Sequence, residues 1–197
     1  QLGVALRLQR RPARALRQLE AALAIEEERR GPKHLALAAL HRELGEASLA
    51  RHQPAVAEQH FTRARDVYLT GAGLTGAGLT GAGPTDAGLA GTGDDDDDTD
   101  ATASPALAAL LTGLGESLLQ QSRGDAALEP IERALAIHRE HPSDPLSAAR
   151  TQLALARALG HTEEHRERAL SLAHEAEQTL ASLGKRGAPL LAEVHAW

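Results

Sequence analysis

Residues 127–140 read ALEPIERALAIHRE, and residues 15–28 read ALRQLEAALAIEEE. The two stretches are copies of one unit. In each, an alanine is followed four residues on by a bulky apolar residue and three later by a second alanine. The positions are Ala15, Leu19 and Ala22 in one copy, and Ala127, Ile131 and Ala134 in the other. Helical spacing puts all three on one face. The small residues let a neighbouring helix come close, and the bulky one fills the gap between them.

A Leu-Gly pair precedes each copy at the same offset: Leu2-Gly3 and Leu114-Gly115. A further pair, Leu44-Gly45, leads to Ala57, Phe61 and Ala64. Leu44 lies 42 residues beyond Leu2, and Leu114 lies 70 beyond Leu44, so the period is 42 with one interruption of 28. A fourth, weaker copy begins near Leu153-Ala154 and continues through Ala169, Ala173 and Ala176 with a longer inner turn. Leu-Gly belongs to a first helix, where glycine admits the second helix closely. Arg10-Arg11-Pro12, His52-Gln53-Pro54 and Ser122-Arg123-Gly124 stand between the two helices, with Pro or Gly marking a turn. A helix–turn–helix unit of this kind buries its apolar face only by stacking on its neighbours. At the end of the chain Leu190, Leu191, Val194 and Trp197 have the spacing of a terminal helix that covers the last unit.

Composition agrees with an all-α fold. The chain has 197 residues, of which 42% are hydrophobic but only 2% aromatic, too few aromatics for a β-sandwich core. Ala and Leu favour helix. Cysteine is absent, which removes disulfides, thiolate nucleophiles and Cys-ligated metals. No apolar run approaches the ~20 residues of a membrane span, and no signal peptide is visible. Methionine is absent even at position 1, so the sequence reads as a piece of a longer protein. Cytoplasmic residence is the expectation.

The interruption is a five-residue glycine period, TGAGLTGAGLTGAGP, followed by Asp94 to Asp98. Nine of the 18 glycines lie between residues 70 and 105, which excludes helix there, and the run predicts a disordered loop. The same segment holds seven acids and no base, so the net charge of −6 resides there and the remainder is nearly neutral. No basic stripe suggests nucleic acid. The chain is expected to divide into repeats over 1–69, an insert over 70–104, repeats over 105–183 and a terminal helix over 184–197. Closing a long flexible loop costs little, so the second and third units are able to stack across the insert; two half-solenoids on a tether are the alternative.

Three motifs invite a chemical reading. Gly71-x-Gly73-x-x-Gly76 matches a dinucleotide fingerprint but lacks the strand before it and the helix after it. His161-Thr-Glu-Glu164-His165 fits the H-x-x-E-H zinc-peptidase pattern, yet it falls in a polar turn with no third ligand in view. Asp94, Asp96 and Asp98 alternate as in a calcium loop, but the sixth position is Thr99 and the twelfth Pro105. No cofactor, metal or catalytic residue is assigned.

The repeated Leu-Gly, Ala, apolar and Ala positions resemble the tetratricopeptide repeat. The 42-residue spacing, longer than the usual ~34, is similar to the kinesin-light-chain type. The resemblance covers residues 1–69 and 106–183. The aromatic that usually stands in the first helix is replaced by Leu6, Ser48 and Leu118. The family implies a right-handed α-solenoid whose first helices line a concave groove for a peptide or partner helix. Its groove positions fall on Arg7, Arg42, Glu46, Thr112, Glu116, Gln120 and Thr151. Val4, Glu46 and Glu116 stand where chaperone-tail binders of the family carry Asn, which argues against that ligand. Glu46 and Glu116 suit a partner bearing Arg or Lys. The expectation is a protein-interaction scaffold, with self-association through exposed repeat ends a further option. The unit style also resembles the C-terminal regions of bacterial eukaryote-like serine/threonine kinases, and arrays of large ATP-dependent transcriptional regulators are similar. Either would make this piece a recruiting tail.

Overall fold

The structure, a computed structural model, describes residues 12–71, 104–141, 144–160 and 163–195. Leu2-Gly3, most of the insert, His161 and Trp197 lie outside the described residues. Among the described residues the regular structure is helical. The helices are α1 (Pro12–Arg30), α2 (Ala36–Leu49), α3 (Pro54–Gly71), α4 (Pro105–Leu119), α5 (Gly124–Glu140), α6 (Pro145–Leu159), α7 (Arg166–Ser182) and α8 (Ala188–His195). They form a right-handed α-solenoid of paired helices, α2–α3, α4–α5 and α6–α7, with α1 ahead and α8 behind.

Proline fixes several starts. Pro54, Pro105 and Pro145 each stand first in their helix, where the missing N–H costs nothing and φ is already helical. Ser104 caps α4 by accepting a bond from the Leu107 N–H at 3.3 Å. The inner turns of the second and third units are the same structure. His52 and Ser122 both take a left-handed φ, at 56° and 59°. In both turns the next residue's N–H returns to the first helix, Gln53 to the Ser48 carbonyl and Arg123 to the Leu118 carbonyl, each at 3.0 Å.

The repeated small and bulky positions form the core. Ala57, Phe61, Ala64, Ala127, Ile131, Ala134, Ala169, Ala173 and Ala176 are all buried. A Cβ on Gly115 would collide with the Ile131 side chain, and one on Gly45 would lie 2.8 Å from the Phe61 ring. The close approach that these glycines permit is therefore real. Phe61 also presses on Gly113 of α4, so its ring is wedged between two units. One apolar cluster runs without a break from Leu49 and Phe61 through Leu114 and Ile131 to Leu172 and Ala173. The second and third units thus stack directly. Tyr68 Oη and Ser104 Oγ, 2.5 Å apart, join the end of α3 to the start of α4.

Candidate binding groove

The first helices of the three pairs share one face of the solenoid. There α2, α4 and α6, with α8 at one end, enclose an open groove of about 700 Å³. Leu49, Leu119, Leu146 and Leu190 give it apolar surface. Glu46, Glu116, Gln120, Arg150, Arg157 and Glu193 supply its polar groups. Arg157 pairs with Glu193 of α8 at 3.1 Å, which holds the short terminal helix against the groove.

Arg150 dominates the centre. Its Nε donates to Glu116 at 2.7 Å, its Nη1 donates to Glu46 at 2.9 Å, and its Nη2 also donates to Glu116. The guanidinium therefore ties three successive first helices together along the groove floor. Burial alone would lower its pKa. The charges of Glu116 and Glu46, and their hydrogen bonds, outweigh that and hold it well above the ordinary arginine value.

The seven groove residues expected from the sequence are distributed unevenly. Glu46, Glu116 and Gln120 line the groove together. Thr112 and Thr151 do not, because both are buried between α4 and α6 with their hydroxyls 2.7 Å apart. Each also lies within bonding distance of a carbonyl one turn back, Ala108 at 2.9 Å and Ser147 at 3.0 Å. One hydroxyl can thus donate to its own helix while the other donates across. They serve packing and are closed to a partner. Arg42 is not part of the groove lining and pairs with Glu43 at 2.6 Å. Arg7 is outside the described residues. Sequence reasoning missed Arg150. In the fourth copy it precedes Leu153-Ala154 by a helical turn, whereas Glu46 and Glu116 follow their Leu-Gly pairs, so its partner position had no counterpart in the repeat.

Glu164 is exposed and His165 half-buried in a short 3₁₀ turn over Glu163–His165. Glu163 there pairs with Arg166 at 2.9 Å. Among the described residues no group of three or more His, Asp or Glu side chains is arranged to hold a metal ion.

Helix pairs stacked on small–bulky–small faces, with first helices around a concave groove, define an α-solenoid repeat protein. The tetratricopeptide-repeat family matches residues 1–70 of the chain. The fold is similar to the crystal structure of BtubC (BKLC) from P. vanneervenii, with TM-score 0.67 and 18% identity over 93% of this chain and 62% of that one. It is also similar to a kinesin light chain of nearly identical TPR-like repeats from P. anserina, with TM-score 0.57 and 18% identity over 93% of this chain and 74% of that one. The chain thus spans 62% of the length of the P. vanneervenii protein. No curated protein matches it in sequence. Neither the matched family nor these structures point to a protein kinase. Among the described residues no helix is long and apolar enough to cross a membrane.

Proposed function

We propose that the chain is a protein-interaction module that holds a partner segment in its concave groove. The observation that carries this reading is the groove itself. It has apolar walls from four leucines of four different helices, and its centre is already ordered by Arg150. A preorganised surface loses little entropy on binding. Three glutamates and two arginines line it, which leaves a formal excess of one negative charge. The partner best suited to it is a peptide or helix with leucine-like side chains and a Lys or Arg near Glu46 and Glu116. The groove is read as a binding surface, and no catalytic role is assigned to it.

A random peptide library displayed against the full chain tests this. Selected peptides are expected to carry basic and apolar residues. By fluorescence anisotropy they should lose at least ~10-fold in affinity, about 1.4 kcal/mol, on Gln120→Glu combined with Leu190→Glu. They should keep it on Gln59→Glu, which alters an exposed residue of the second-helix layer. Equal loss on both variants, or binding unaffected by either, would overturn the groove assignment.

A further inference from the structure

The second unit holds two imidazoles in contact. His41 of α2 and His60 of α3 have their Nδ1 atoms 3.2 Å apart and their ring centroids 5.5 Å apart. Only one proton fits between two such nitrogens, so the contact requires one ring to donate and the other to accept. His41 is only 7% exposed, and its Nε2 is buried with no partner. A bare lone pair costs less there than an unpaired N–H. That assigns the shared proton to His41 Nδ1 and leaves His60 as acceptor, with its own proton on Nε2. A second proton would replace a hydrogen bond by two cations in contact.

The other charged groups around the pair do not neutralise it. Glu20 of α1 favours the protonated form of His60, while Arg63 of α3 opposes protonation of His41. On α2 itself Arg42 and Glu43 pair with each other. On α4, which also packs against α2, Glu116 is the single ionisable side chain, and Arg150 holds it. In the third unit the positions 70 residues on are Leu111 and Pro130, both buried and neither ionisable. The fold therefore does not need imidazoles here.

We propose that His41 and His60 form a proton-operated latch between α2 and α3, closed when the pair shares one proton and opened when a second proton binds. Because α2 also carries Glu46, opening the latch draws one carboxylate away from Arg150 and loosens that end of the groove. The latch itself stands whatever the groove binds.

The sign follows from burial. His41 is held down to about 4, first by burial and then by the charges of His60 and Arg63, against 6.5 when unfolded. The unfolded chain takes up the proton first as pH falls. The stabilisation is complete above pH 6.5 and is lost between 6.5 and 4.

Urea unfolding of the full chain by circular dichroism at pH 7.5 and pH 5.0 tests the proposal, with His41→Leu, the third unit's residue, as the control. The folded-to-unfolded ratio of the wild type should fall by about 30-fold more than that of the variant over this interval. Imidazole nitrogen resonances of the wild type should show His41 protonated at Nδ1 at neutral pH. They should also show it resisting its second proton until well below pH 6. Equal pH losses in the two proteins, or His41 titrating like a free imidazole, would overturn the latch.

Discussion

Phe61 fills in the second unit the space that Ile131 fills in the third, and the two solutions differ in what they demand of their neighbours. Ile131 needs one glycine, Gly115 of its own first helix. The larger Phe61 needs two, Gly45 of its own and Gly113 of the next. At the register position of Gly113 the second unit carries Glu43, and at that of the His41–His60 pair the third carries Leu111 and Pro130. The repeat thus fixes backbone geometry through small residues and turns, while the bulky positions are free to couple units. The third unit packs mainly within its own pair at this point. The second borrows room from its neighbour across the insert.

Charge at the small positions should erase the comparison altogether. Ala57 and Ala127 are both fully buried at a helix contact. An aspartate at either buries a carboxylate and should cost at least about 4 kcal/mol. Ala127→Asp is the sharper test because Ala127 belongs to the middle unit of the cluster that runs from the second unit to the fourth. Loss of most of the helical circular dichroism at 25 °C is expected. A melt like the wild type's would refute the register on which the whole solenoid reading stands.

Truncation of the bulky residue should separate the two units. Phe61→Ala should cost about 4 kcal/mol and Ile131→Ala about 3 kcal/mol, since more contacts are lost at the aromatic site. The larger distinction lies in rescue. Gly113→Ala narrows the Phe61 cavity and should be tolerated better in the Phe61→Ala background than alone, as a double-mutant cycle on urea midpoints would show. Strict additivity would mean that Phe61 does not couple the units.

The backbone plan was legible in the sequence because it is written in positions that recur. Leu-Gly, then Ala, a bulky residue and Ala, recur at fixed offsets, and close approach leaves few residue types that fit. The groove was less legible because its organising contact does not recur. Arg150 reaches Glu46 across 104 positions, from a copy whose Leu153-Ala154 departs from the pattern. Thr112 and Thr151 look like polar groove residues in sequence, yet two facing hydroxyls satisfy each other and are buried together. Ile25 and Ile137 make the same point for burial. They occupy the same place in the two quoted stretches, but Ile25 is 56% exposed and Ile137 4%. Leu69 of the preceding second helix joins the cluster around Ile137. Burial in a solenoid is set by the neighbouring unit, which a single unit's sequence does not contain.

The smallest effect should fall where the two units are most alike. His52 and Ser122 hold nearly the same left-handed φ, and both backbones are anchored by the same pair of returning hydrogen bonds. A side chain pays about 1 kcal/mol in that conformation, while glycine gives back part of the gain through its greater freedom when unfolded. His52→Gly and Ser122→Gly should therefore each stabilise the chain by roughly 0.5 kcal/mol. Both side chains are exposed, so little else changes with them. The test is the equality of the two shifts in a urea midpoint, more than the size of either. If Ser122→Gly stabilises and His52→Gly does not, the turns are not equivalent, and the imidazole of His52 would have to make a contribution that its exposure gives no reason to expect.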